Sequence, residues 1–447
     1  SSQKTRAVSA GFAYAGALVG AFVDMDDTGT TEVLIDNGTK IYAGGALSVT
    51  AEDYTSNQGD AIGVAVAAGI GLSGVFTDLD VTRNARLTVG DNVTMTADST
   101  TMQAIAGDGS TYTAKSNAVA ASGGALAGAN ATYVDVDVDV DAAVQIGADL
   151  NFNDSGSSTI TANNRIRSLG ETTGISVGVV AIGANFADVN STGDATISIG
   201  ERAIITAGGA LSINATSGQE VLTDTTAGGG GGLAAVGGEA KSTQVTNATV
   251  VLADGIADNA SVLTAGDNLT IAARNTDKLD AKLDATAVGG VQVAAGKTIA
   301  NGTSNVAVDI GNYDSLIGDN VTLTATNEMT KDGWTGNNFL IEGGGAISVS
   351  LGESTGTLVH TTDVTLGQHA KINLAGSLAS PSKVQITALS IPTMDDQATV
   401  NVGGVVSVPQ SSTIQTATAT TRVSLEDNAS ISTSFGDVLI EAQTAPQ

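Results

Sequence analysis

The chain repeats itself, and nothing else in it constrains the fold as tightly. Ala43-Gly44-Gly45-Ala46-Leu47-Ser48-Val49-Thr50-Ala51 returns almost unchanged as Ala207-Gly208-Gly209-Ala210-Leu211-Ser212-Ile213-Asn214-Ala215. A second form opens with Gly-Asp-Asn and runs from Gly90 to Ala97, Gly266 to Ala273 and Gly318 to Ala325. Weaker copies end at Ala162, Ala388 and Ala442. The apolar residue two before each closing Ala serves as an anchor: Val49, Met95, Ile160, Ile213, Ile271, Leu323, Ile386 and Ile440. The step from one anchor to the next averages about 56 residues, a period in the range of repeat architectures. It is shortest from Val49 to Met95 and longest from Met95 to Ile160, so loops vary while the unit persists. Eight units therefore close near residues 51, 97, 162, 215, 273, 325, 388 and 442 of one continuous array spanning 1–447.

An upstream apolar residue precedes each anchor at a nearly fixed distance. Ile35/Val49, Val81/Met95, Ile146/Ile160 and Ile199/Ile213 are 14 apart, Ile310/Leu323 13, and Leu425/Ile440 and Ile256/Ile271 15. Leu366/Ile386 is 20 apart, because an insertion carrying Ser380-Pro381 lies between. So constant a spacing reads as strand, tight Gly-Gly or Gly-Asp-Asn turn, strand. The local pattern alternates with period two, as in Ala195-Thr196-Ile197-Ser198-Ile199, which is the signal of a half-buried strand. Helical periodicity is confined to one turn at most, Lys278 to Asp284. Segments such as Gly63 to Ala67, Gly174 to Val180 and Gly345 to Ser350 are built of small residues, which implies close backbone approach.

Composition selects among all-β architectures. Aromatic residues are 3% while hydrophobic residues reach 42%, so the core is aliphatic and thin. One Trp cannot serve several sandwich cores. Gly plus Pro is 60 of 447, below the roughly 25–30% of low-complexity chains. A solenoid buries a continuous core by stacking like residues coil on coil. The expectation is a parallel β-helix with rungs of about 20 residues, about 22 rungs in all, and a rod on the order of 100 Å long. Net charge is −28, which repels nucleic acid phosphates and anionic membranes. No stretch reaches the ~20 apolar residues of a spanning helix, so no direct membrane insertion is expected. Cysteine is absent, which excludes disulfides and thiol chemistry. The chain opens with Ser1-Ser2-Gln3-Lys4 rather than a signal peptide and reads as a piece of a longer or processed protein.

The stretch Ile199 to Ala215, with the small-residue strand Gly174 to Asn185 before it, resembles the repeat of giant secreted bacterial filamentous adhesins of the haemagglutinin-like and leukotoxin type. The resemblance extends from about Gly11 to Thr444. It implies a right-handed parallel β-helix in a secreted, cell-surface fibre. Its secretion-directing N-terminal domain and a membrane-barrel C-terminus are not seen in this sequence.

Several residues invite chemical readings. Asp135, Asp137, Asp139 and Asp141 alternate with valines, so all four share one strand face. With a carboxylate from an adjacent rung they would suit calcium, which takes six to eight oxygens. The plainer reading is a solvated face whose like charges discourage edge pairing. Asp24, Asp26 and Asp27 form a smaller cluster of the same kind. Asp395-Asp396 faintly echoes polysaccharide-cleaving β-helices, while His360 and His369 read as surface residues. Gly228 to Gly232 lacks the Lys-Ser/Thr that follows a phosphate-cradling loop and reads as a turn or crowded strand start. Trp334 reads as a loop residue folded onto the rod or a platform for a sugar ring.

The expected function is a non-catalytic structural and adhesive segment of a bacterial cell-surface or extracellular fibre. Its partners would be neighbouring copies added head to tail, or a host or neighbouring-cell receptor or glycan. The alternative is a β-helical carbohydrate-binding or polysaccharide-cleaving module. A groove of acids and aromatics along one face separates the two, and the low aromatic content argues against such a groove. No cofactor other than calcium is implied.

Overall fold

The computed structural model describes residues 2–107, 109–331, 338–374 and 381–445. Among them every regular element is a strand. The molecule is a parallel β-solenoid, and each coil has four segments. The first coil begins with the long strand Gly16–Ile35, turns through the short strand Lys40–Tyr42, and runs back along Ala46–Asp53 and Ser56–Ala67. The last three are called the corner, third and return segments. The next long strand, Ile70–Val89, then lies beside the first in parallel register, Gly16 against Ile70 and Ile35 against Val89. The described residues form seven such coils and the first three segments of an eighth, with Ser2–Ala13 as a return segment ahead of the first. Their long strands continue as Ala127–Ile146, Val180–Ile199, 233–252, 291–310, Ile347–Leu366 and Val406–Leu425. Short corner strands stack into a second sheet of their own.

This geometry corrects the expected rung. Parallel partners, such as Gly16 and Ile70 or Ile347 and Val406, lie a whole repeat apart in sequence, so one repeat makes one coil. The reason is the long strand, in which alternation persists for 20 residues without a break. At about 3.3 Å per residue it spans about 66 Å, whereas eight rungs at ~4.8 Å stack to only about 38 Å. The described chain is a slab wider than it is tall, and not a 100 Å rod.

The repeat anchors are one ladder of the third segment. Val49, Met102, Ile160, Ile213, Ile271, Leu323, Ile386 and Ile440 stand in register from coil to coil. Met95 instead belongs to the corner sheet, between Ile41 and Phe152. Its upstream partner Val81 lies within a long strand that ends at Val89. Ile256 is 67% exposed in an insertion of coil 5, and Leu252 takes the position in register with Ile199. Between upstream residue and anchor the chain makes two corners around the short strand, not one tight turn. Lys278 to Asp284 is strand. Ser380 lies outside the described residues, as does Trp334.

Side chains alternate strictly. In coil 3, Val134, Val136, Val138, Val140, Val144 and Ile146 point inward and are nearly inaccessible. Burying each such side chain contributes roughly 1.5–3 kcal/mol, so the long strand's inner row is the main source of cohesion. The long strand faces the third and return segments across this thin interior: Ser116 Oγ on a return segment donates to Thr77 Oγ1 on a long strand at 2.6 Å. The layers converge at the edge where return segment meets long strand. A Cβ on Gly71 would collide with the Gly123 carbonyl, and one on Gly124 with that of Ala127. The Gly228 to Gly232 run lies at the same edge, where a Cβ on Gly231 would strike the Gly178 carbonyl. Small residues are what this edge admits.

The opposite edge is closed by a left-handed residue in coil after coil: Gly38, Asn92, Asp149, Arg202, Tyr313, His369 and Asn428, with φ between 57° and 70°. Side chains bridge these corners. Arg202 clasps Asp149 with two contacts of 2.7 and 2.8 Å, and the Tyr313 and His369 rings stack at 4.6 Å.

The interior also holds a polar spine. Asn164, Ser217, Asn275, Asn327 and Ser390 are in register on the third segment. They face Thr246, Ser304 and His360 on the long strand, with Asn275 Nδ2 donating to Ser304 Oγ at 2.6 Å. His360 is therefore not a surface residue. It is 1% exposed, its Nδ1 lies 3.1 Å from Ser390 Oγ, and burial lowers its pKa to about 4.

Candidate functional site

Strand alternation puts Asp135, Asp137, Asp139 and Asp141 on the outer face of the coil 3 long strand, as the spacing requires. Parallel register then assembles what the sequence scatters. Asp24, Asp78, Asp135 and Asp188 form one row across coils 1 to 4. Asp26, Asp80 and Asp137 form the next row, continued by Asn190. Asp141 stands beside Asp194. Ten carboxylates thus share one face, with rungs ~4.8 Å apart. Between the Asp26 row and the next outward row, Thr28, Thr82, Asp139 and Thr192, lies a shallow groove of about 370 Å³.

Crowding shows in the acidities. Burial, and then the charges of Asp24, Asp137 and Asp26, push the Asp78 carboxyl above the usual range. Asp80 is raised by burial and by Asp78. Asp135 and Asp139 rise for the same first cause, and Asp141 reaches about 6 through burial and the charge of Asp194. A few of these charges have partners. Lys241 Nζ lies 2.7 Å from Asp188 Oδ2, Asn190 Nδ2 donates to Asp137 Oδ1 at 2.9 Å, and Asn247 Nδ2 donates to Asp194 Oδ1 at 2.7 Å. Among the described residues, no three His, Cys, Asp or Glu side chains converge to hold a metal ion. The face is a row of like charges rather than a closed coordination cage.

The row beside these carboxylates is aromatic. Phe22, Phe76, Tyr133 and Phe186 are in register across the same four coils and 38 to 61% exposed. Tyr133 OH donates to Asp135 Oδ2 at 3.1 Å, and burial with the Asp135 charge raises its pKa to about 12. Beyond them comes a flat row, Gly20, Gly74, Ala131 and Ala184. Acids and aromatics share this face, although the groove itself is lined by no aromatic side chain. Four of the 14 aromatic residues stand on this one face.

The remaining candidates are structural. Asp27 faces inward, 3% exposed. Burial alone would raise its carboxyl, but hydrogen bonds from Thr55, Asn57 and Arg83 hold it below the usual value. Asp396 is buried against Lys331, 3.1 Å from its Nζ, while Asp280 lies 3.5 Å from the same nitrogen. Asp395 is exposed beside it, so the pair does not converge on a substrate. His369 serves a corner. Sequence reasoning missed the aromatic row, although Phe22, Tyr133 and Phe186 each stand 27 residues before their anchors Val49, Ile160 and Ile213; Phe76, 19 before Met95, breaks the column.

No protein-family model matches the chain, and no curated protein or solved structure matches it either.

Proposed function

We propose that this chain is a non-catalytic structural and adhesive segment of a bacterial cell-surface or extracellular fibre, with the acidic, aromatic face of coils 1 to 4 as its contact surface. The observation that carries the reading is the uninterrupted in-register stack. A solenoid of this kind offers an extended surface on a stiff support. Every neighbouring pair of described coils stacks in parallel register, and further coils, of the same chain or of another copy, would add by the same backbone pairing. The resemblance of Ile199 to Ala215 to filamentous adhesin repeats points the same way, and to a secreted location. The aspartate rows are where calcium would gather, with Asp135, Asp137, Asp139 and Asp141 at their centre. Electron microscopy of the purified chain tests the reading. Slabs joined end to end along the coil axis are expected, and monodisperse single slabs at every concentration would contradict it.

The aromatic row favours a second reading, a carbohydrate-binding face without cleavage. Sugar rings stack on exposed aromatics while carboxylates accept their hydroxyl protons. Glycan-array binding lost in Phe76→Ala and Tyr133→Ala would support it, and reducing-sugar release would contradict both readings.

A further inference from the structure

A second concave site lies on the other layer, where third and return segments meet at a bend. Arg165, Arg167, Arg274 and Lys278 line a cavity of about 370 Å³ there, with Gly218 among them. The whole chain holds only 18 Lys and Arg. The ladder explains the hollow. Gly218 is the register partner of Arg165, and it leaves the outward row without a side chain at that rung. Arg167, Glu220 and Lys278 stand in register beside it.

The cations are held in place. Arg167 Nε lies 2.7 Å from Glu220 Oε2, and its guanidinium carbon sits 4.5 Å from the centre of the Tyr112 ring. Arg274 Nη2 lies 3.2 Å from Glu328 Oε2. Arg165 and Lys278 have no ion pair among the described residues; Asp108, next to Gly109 of the rim, lies outside them. Two of the four positive charges are thus left over, which matches a dianion. Guanidinium groups bind oxyanions through paired, directed hydrogen bonds. The cavity is of a size for a small ligand. The distant acidic face is screened beyond ~8 Å at physiological ionic strength.

We propose that this cavity is an oxyanion site that takes a phosphate group, free or as a small monoester. Titration calorimetry with inorganic phosphate, and separately with glycerol phosphate, reads it directly. Saturable binding at one site per chain is expected. The double variant Arg165→Gln/Lys278→Gln is expected to weaken it at least tenfold. Gly218→Glu, which sets a carboxylate into the gap, is expected to abolish it. Circular dichroism should match the parent in both. Binding of both probes assigns the site to the phosphate group itself, and binding of the monoester alone assigns it to an organophosphate. No saturable heat with either probe, or equal affinity in both variants, would overturn the proposal.

Discussion

One outward row of the broad face reads Phe22, Phe76, Tyr133 and Phe186 in coils 1 to 4, and Glu239, Lys297, Glu353 and Ser412 in coils 5 to 8. The neighbouring row changes from Asp24, Asp78, Asp135 and Asp188 to Lys241, Ile299, Thr355 and Ile414 at the same border. Below this surface the anchor ladder stays apolar throughout. The difference separates two duties. The anchor row holds the coil together and stays apolar, whereas the outer rows carry whatever chemistry the surface needs. In the second half charges alternate and pair, as in Lys297 and Glu353 at 3.0 Å. In the first half like charges are stacked, a cost that the fold tolerates and that a ligand or cation would relieve.

The largest effects should come from buried charge, and should be unequal between the halves. Lys331 is 1% exposed and serves two buried aspartates, so Lys331→Met is expected to cost about 4 kcal/mol in urea unfolding. Arg83, its counterpart beside Asp27 and Asp53 in coils 1 and 2, keeps 15% of its side chain exposed. Arg83→Met should therefore cost less. Next come the anchors, where the halves should agree. Ile213→Ala and Leu323→Ala, both fully buried, should each lose about 3 kcal/mol. A clear disparity would mean that the interior is not uniform.

Acid should stabilise the protein. A carboxyl whose pKa is raised in the fold contributes fully below its unfolded value of 3.8, and the contribution is lost as pH rises through the folded value. That folded value is about 6 for Asp141 and, through burial, about 7 for Asp277 and Asp314. His360 has the opposite sign, because its unfolded ring protonates below 6.5 while the buried ring resists until about 4. Its penalty therefore begins where pH falls below 6.5. From pH 8 to 6 the melting temperature should rise by about 4 °C, and Asp141→Asn should reduce the rise. Millimolar calcium at pH 8 should raise the melting temperature by about 2 °C. That gain should shrink in Asp135→Asn/Asp137→Asn.

The smallest effects are opposite in sign. Asp80→Asn, which removes one charge from a crowded row, should stabilise by about 0.5 kcal/mol. Lys297→Ala in the second half should destabilise by no more than about 0.5 kcal/mol. Equal signs would dissolve the contrast between the halves.

Much of this was legible in the sequence. Period-two alternation placed Asp135 to Asp141 on one face, and the repeated closing alanines fixed seven of the eight anchor positions. The second unit misled because Met95-Thr96-Ala97 and Met102-Gln103-Ala104 both fit the motif, and Gly90-Asp91-Asn92 imitates a turn that elsewhere sits at a different corner. The coil's size was hidden because so long a strand far exceeds the usual five or six residues. Burial of His360 and Lys331 depends on polar partners on other segments, Ser390 for the first and Asp280 with Asp396 for the second, which no local pattern marks.

Spin labels offer the most direct test that one repeat makes one coil. Thr88 and Gln145 are a full repeat apart in sequence yet register partners on the outer face. Labels at these two positions should show strong exchange broadening, and labels at Gln145 and Arg165 should not. Broadening only in the second pair would mean a rung of about 20 residues and would contradict the slab and its assembled face together.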